Sequence, residues 1–143
     1  MLSQLAGIVG LTATAPAAYY VGTGHLDSNG IALWIANWSF AWNQIHFVQV
    51  RIHAARASTL QDKLEKGRFF FLAQLLVLVG LVLAVLWHSI PPLVILAFVP
   101  AFVRGTRWFF RESEPLDVKR LGWSEMRQGI TFGILLAIAF IFA

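Results

Sequence analysis

Apolar residues fill most of the chain in long stretches, and polar residues gather in four short connections: GTGHLDSNG at 22–30, a segment at 51–68, HSIPP at 88–92 and a segment at 104–125. About 20 apolar residues cross a hydrocarbon core as a helix. Measured against that length, the pattern predicts spans at 2–22, 30–50, 69–87, 91–104 and 126–143. The expected fold is all-α, a polytopic membrane helical bundle of about five transmembrane helices in one domain over 1–143. Pro91 and Pro92 suit a turn and helix start, so spans three and four form a hairpin, and Pro100 interrupts the fourth.

The second span departs from the others. It reads WSFAWNQIHFVQVRIHAAR over 38–56 and carries Asn43, Gln44, His46 and Gln49 before it reaches Arg51. At 100° per residue, Asn37, Gln44 and Arg51 share one side, His46, Gln49 and His53 lie nearly opposite, and Asn43 falls between. A helix that is polar all round belongs at the centre of a bundle or beside a water-filled cavity. Its polar side chains should therefore be shielded from lipid. Trp34, Trp38 and Trp42 step every four residues along a third sector, as packing or interface anchors or as a stacking wall for an isoprenoid or quinone.

Composition agrees with this pattern. The chain is 58% hydrophobic and 13% charged, with a mean hydropathy of +0.69, outside the balance of a soluble domain. Its net charge of +4 would suit nucleic acid only on a soluble basic face, and none is expected. Instead, all eleven Lys and Arg residues fall in or beside 51–68 and 104–127, and 22–29 and 88–90 hold none. The positive-inside rule then places the N-terminus in the cytoplasm and the C-terminus outside. MLSQ lacks the positive n-region of a signal peptide, so span one is expected to remain.

Candidate chemistry is sparse. Cysteine is absent, which excludes disulfides and thiolate sites. His46 has no histidine at matching depth on another span, so bis-histidine haem is not expected, although its imidazole suits proton transfer. His25, Asp27 and His88 lack the spacing and the fourth ligand of a zinc site. No metal, cofactor, nucleophile motif or phosphate-cradling glycine loop is expected, and no residue is assigned a catalytic role. Asp62, Glu65, Glu112, Glu114, Asp117 and Glu125 read as members of charge-balanced solvated loops, and Arg104 to Arg111, with Trp108, as an interfacial belt. Gly7, Gly10, Ala13 and Ala17, and Gly129 with Gly133, have the small-residue spacing of close helix contacts. Gln74 is the one polar residue of an otherwise lipid-facing third span.

The order of these features, with the pieces V-Q-V-R-I-H at 48–53 and K-R-L-G-W-S-E at 119–125, resembles the C-terminal part of the YwiC-like membrane proteins. That family is distantly similar to UbiA-type prenyltransferases, helical bundles around a membrane-buried pocket open to the cytoplasm. The resemblance implies a UbiA-like binder or transferase of isoprenoid or lipid-like substrates. UbiA-type enzymes hold magnesium on aspartate-rich motifs, where this chain carries Arg51, His53 and Arg56. Those cations would contact a phosphate directly. Such a protein also has more spans than five, so the chain resembles a half that is a fragment or completes its bundle with another subunit.

The leading expectation is a non-catalytic or accessory subunit packed against other membrane helices, with membrane lipids and other membrane-protein subunits as partners. The second is the lipid-like binder, with Asn43, Gln44, His46, Gln49, Arg51, His53, Arg56, Trp38 and Trp42 as the substrate-binding set.

Overall fold

The computed structural model describes residues 2–54, 57, 59–111 and 117–142, with side chains from residue 7 onward. Among the described residues the chain is all-α and has no strand. Its helices are α1 (Leu2–Thr12), α2 (Thr14–Thr23), α3 (Ser28–His53), α4 (Leu60–Leu86), α5 (Val94–Phe109) and α6 (Val118–Ile141).

α1 and α2 occupy the first expected span as one interrupted helix. Pro16 has no amide to offer the Thr12 carbonyl, and the interruption at Ala13 lies one turn before it. Gly24 then ends α2 in the left-handed region at φ 77°, its amide returning to the Tyr20 carbonyl. Asp27 starts α3 by accepting from the Asn29 and Gly30 amides. The α4–α5 turn passes through His88 at φ 54° and then Pro91 and Pro92, which gives the expected hairpin.

Three helix boundaries extend beyond the apolar spans. Thr59 caps the Asp62 amide, so α4 begins at Leu60 rather than near 69, and Asp117 caps the Arg120 amide, so α6 begins at Val118 rather than near 126. α5 begins at Val94 and runs to Phe109, which places Arg104 and Arg107 on a helix. The physical reason is that capping and helix propensity act on charged residues as readily as on apolar ones.

α3 is the central helix. It packs against α1, α2, α4 and α5, and Phe40 stacks on Phe132 of α6 at 3.9 Å. From Ser39 to Arg51 every residue is buried or half-buried. The core divides into an apolar cluster around Phe40, Phe98 and Phe132 and a second around Phe47, Phe70 and Phe109. Between them the buried stripe of each helix breaks at one level. Asn43 lies between Phe40 and Phe47, Gln74 follows Phe70, and Gly105 lies between Ala101 and Phe109. A Cβ on Gly105 would sit 2.6 Å from Gln74 Nε2 and 2.7 Å from Phe70 Cζ, so glycine is what lets α5 approach α4 there. Gln74 is thus buried against α5, where the sequence suggested a lipid-facing helix.

α4 and α6 are each long and apolar enough to cross a membrane, and most of each such window is unburied. α5 has 16 residues, α1 and α2 have 11 and 10, and α3 carries its polar series.

Candidate functional site

At the end of the bundle where α5 stops and α6 starts, a cleft of about 860 Å³ opens between them and the last turn of α3. Six arginines line it: Arg51, Arg104, Arg107, Arg111, Arg120 and Arg127. Helical spacing explains the convergence. Arg104, Arg107 and Arg111 repeat at i, i+3 and i+7 along α5 and its end, and Arg120, Ser124 and Arg127 at i, i+4 and i+7 along α6. Each set therefore covers one helix face. Among the described residues the only lining carboxylate is Asp117, which already caps α6.

Arg104 ties the cleft together. Its Nη1 donates to Glu125 Oε1 at 2.6 Å and its Nη2 to Glu125 Oε2 at 3.0 Å, a bidentate pair. Nη2 also donates to Gln44 Oε1, and Nη1 lies 3.4 Å from Ser124 Oγ. The guanidinium carbon sits 4.2 Å from the centroid of the Phe47 ring. The Arg104 and Glu125 side chains are only 18% and 21% exposed, so three helices meet on one largely desolvated ion pair. Glu125 is thus not a solvated loop acid: the early start of α6 turns it toward α5.

Trp108 organises the outer part of the cleft. Arg51 Cζ lies 5.6 Å and Lys63 Nζ 5.2 Å from its ring centroid. Lys63 is buried, and its ammonium donates to the Arg111 carbonyl at 2.6 Å, closing the C-terminal end of α5. Arg107, Arg111 and Arg127 form no ion pair among the described residues.

The structure divides the expected binding set. Gln44 and Arg51 reach the α5–α6 side and join the cleft through Arg104 and Trp108. Asn43 is 2% exposed in the core, its Oδ1 without a partner among the described residues, and the same holds for Gln44 Nε2, Gln74 Nε2 and Arg104 Nε. Trp38, Trp42 and His46 instead form a ring ladder on another face, with centroids 5.5 and 4.8 Å apart. His53 Nδ1 meets the Gln49 carbonyl at 2.7 Å, a contact within one helix turn. None of Asn43, Trp38, Trp42, His46, Gln49 and His53 lines the cleft, and Arg56 lies outside the described residues. Trp34 donates from Nε1 to Thr12 Oγ1, fixing α3 to α1.

Sequence reasoning missed Arg104, Arg107, Arg127, Glu125 and Ser124 as one group. The signals were the Asp117 cap and the arginine periodicity, both masked by reading 104–125 as a loop. The glycines of the small-residue series have no covering neighbour among the described residues: a Cβ on Gly7, Gly10, Gly129 or Gly133 meets nothing within 4 Å. Among the described side chains of α1, Ile8 and Thr12 are buried.

Chemically, the cleft supplies guanidinium forks, indole rings and a hydroxyl. This set suits planar recognition of phosphate or carboxylate. Among the described residues no three His, Asp or Glu side chains converge as metal ligands. Comparison with known protein families, curated proteins and solved structures gives no match.

Proposed function

We propose that the protein is an integral membrane protein that holds the anionic head group of a lipid-like molecule in the arginine-lined cleft. The observation that carries this reading is the convergence of six arginines on one cleft with a single lining carboxylate among the described residues. Arg104 is already matched by Glu125, and among the described residues Arg107, Arg111 and Arg127 have no ion pair, so an anion entering the cleft relieves their mutual repulsion. Trp108 and Trp123 line the same cleft with Pro100 and Val103, so a charged head and an apolar body would both find contacts.

Membrane insertion is supported by α4 and α6 and by the apolar residues they leave exposed, including Leu72, Leu76, Val79, Ile130 and Ile134. In the proposed arrangement α1 with α2, α3, α4, α5 and α6 supply the five spans, and the cleft lies on the cytoplasmic side with the basic residues. The proposed similarity to UbiA-type proteins brings isoprenyl phosphates among the ligands to test. An accessory role beside other subunits fits the uncovered Gly129 and Gly133 face.

The test is a titration of the protein in mild detergent with dioctanoyl phosphatidic acid and dioctanoyl phosphatidylcholine, read by tryptophan fluorescence. The acidic lipid is expected to saturate, to weaken with added salt, and to lose affinity in the Arg107→Gln/Arg127→Gln variant. Equal responses to both lipids would overturn the reading.

A further inference from the structure

Arg104 differs from the other arginines of the cleft. Its side chain is 18% exposed, and its charge is already matched by Glu125, which is 21% exposed and does not itself line the cleft. The two oxygens of Glu125 hold Nη1 at 2.6 Å and Nη2 at 3.0 Å, and Gln44 accepts from Nη2 as well. Arg104 Nε is buried and has no partner among the described residues, so an anion in the cleft meets this guanidinium at the Nη edge that Glu125 occupies. A carboxylate on a guanidinium fork presents paired oxygens just as a phosphodiester does. Glu125 therefore stands where a ligand anion would bind.

We infer that Glu125 is a built-in competitor for the ligand, and that the anion reaches Arg104 together with a proton. This deepens the anion-binding reading and rests on it. In the exchange, an oxygen pair of the ligand replaces the carboxylate on Nη1 and Nη2, and a proton from solvent binds a Glu125 carboxylate oxygen. One negative and one positive charge arrive together, so the net charge of this largely desolvated site is unchanged. Without the proton, an ionised Glu125 would lose its ion-pair partner in a poorly solvated place and stand beside the arriving anion, and both are costly. Gln44 Oε1 and Ser124 Oγ, both beside the fork, can accept from the new O–H. The surrounding groups single out Glu125 as the proton acceptor. α5 presents Arg104, Arg107 and Arg111, α3 presents Arg51, and α6 itself carries Arg120 and Arg127, all guanidiniums that keep their charge. Lys63 of α4 is turned to the Arg111 carbonyl and Trp108, and His46 of α3 packs on Trp42 and does not line the cleft. Asp117, the one lining carboxylate among the described residues, is held as the α6 cap.

The test titrates the full chain in mild detergent with dioctanoyl phosphatidylglycerol, whose phosphodiester keeps its single charge from pH 5 to 8, and with dioctanoyl phosphatidylcholine as the zwitterionic control. Tryptophan fluorescence follows binding, and calorimetry in two buffers of different ionisation heat counts the protons taken up. About one proton should enter per lipid bound at pH 7, and affinity should rise about tenfold for each pH unit lowered until Glu125 is protonated in the free protein. Glu125→Gln, which cannot ionise but keeps an oxygen for Arg104, should bind at least about tenfold tighter than wild type at pH 7, with no proton uptake and the same affinity at pH 5.5. Asp117→Asn should take up the same proton as wild type, which keeps the inference open to refutation if Glu125→Gln does not fold. Uptake below about half a proton, affinity that ignores pH, or a pH dependence that survives Glu125→Gln or vanishes in Asp117→Asn overturns the competitor inference and leaves the anion-binding reading standing. Failure of phosphatidylglycerol to bind more tightly than phosphatidylcholine at any pH removes both.

Discussion

The two ends of the bundle satisfy their polar groups in opposite ways. At the end opposite the cleft, Asp27 accepts from residues two and three positions away and from Tyr19, eight positions away. At the cleft end, Arg104 reaches Glu125 across 21 positions and Gln44 across 60, and Lys63 reaches the Arg111 carbonyl across 48. Local bonds stabilise one helix start, whereas distant ones hold helices together and create a surface that none of them has alone. Only at the cleft end do like charges gather on several helices at once.

The sharpest way to break the contrast is to remove one partner of the central ion pair. Arg104→Ala or Glu125→Ala should destabilise by about 3 kcal/mol, the low end for a buried pair because both side chains keep some exposure. The apolar double variant Arg104→Met/Glu125→Leu should recover most of that loss. Thermal unfolding in detergent measures both, and a double variant no better than the singles would mean that the pair is net stabilising rather than a mutual neutralisation.

Close approach gives a second, smaller contrast. A Cβ at Gly67 collides with the Phe109 ring and one at Gly105 with Gln74 and Phe70, so alanine at either should cost roughly 1–3 kcal/mol. Gly133, exposed and open on α6, should gain about 0.5–1 kcal/mol as alanine from helix propensity. If Gly133→Ala instead lowers the yield of crosslinked species relative to wild type, its face is covered by another subunit.

The smallest effect belongs to the opposite end. Partial desolvation would raise the Asp27 carboxyl, but the Gly30 amide, the Tyr19 hydroxyl, the Asn29 amide and nearby His25 together hold it below its usual 3.8. A depressed folded value means the carboxylate stabilises fully above the ordinary one and is lost as pH falls through the folded one. The melting-temperature advantage of wild type over Asp27→Asn should therefore be constant at pH 6 and shrink below pH 4. An advantage that grows on acidification would show the sign to be wrong.

Several of these features were legible before any coordinates. Helices in all five expected regions followed from apolar stretches bounded by turn residues, and the central position of α3 followed from Gln44, His46 and Gln49 falling on different sides of one helix. Asp27, Gly24 and the Pro91–Pro92 turn act within a few residues of themselves, so their roles can be read in order along the chain. The sequence by itself determined helix content and the pairing of α4 with α5. Only the tertiary structure decided which polar residues meet. A wheel puts Gln44 and His46 on opposite sides of α3 but does not say what each side meets: one bonds Arg104 and the other packs on Trp42. The difference is set by the register of α5 against α6, which depends on Gly105, Phe98 and Phe132 packing across helices. Such register is a property of surfaces in contact, and no periodicity within one helix encodes which partner its face will find.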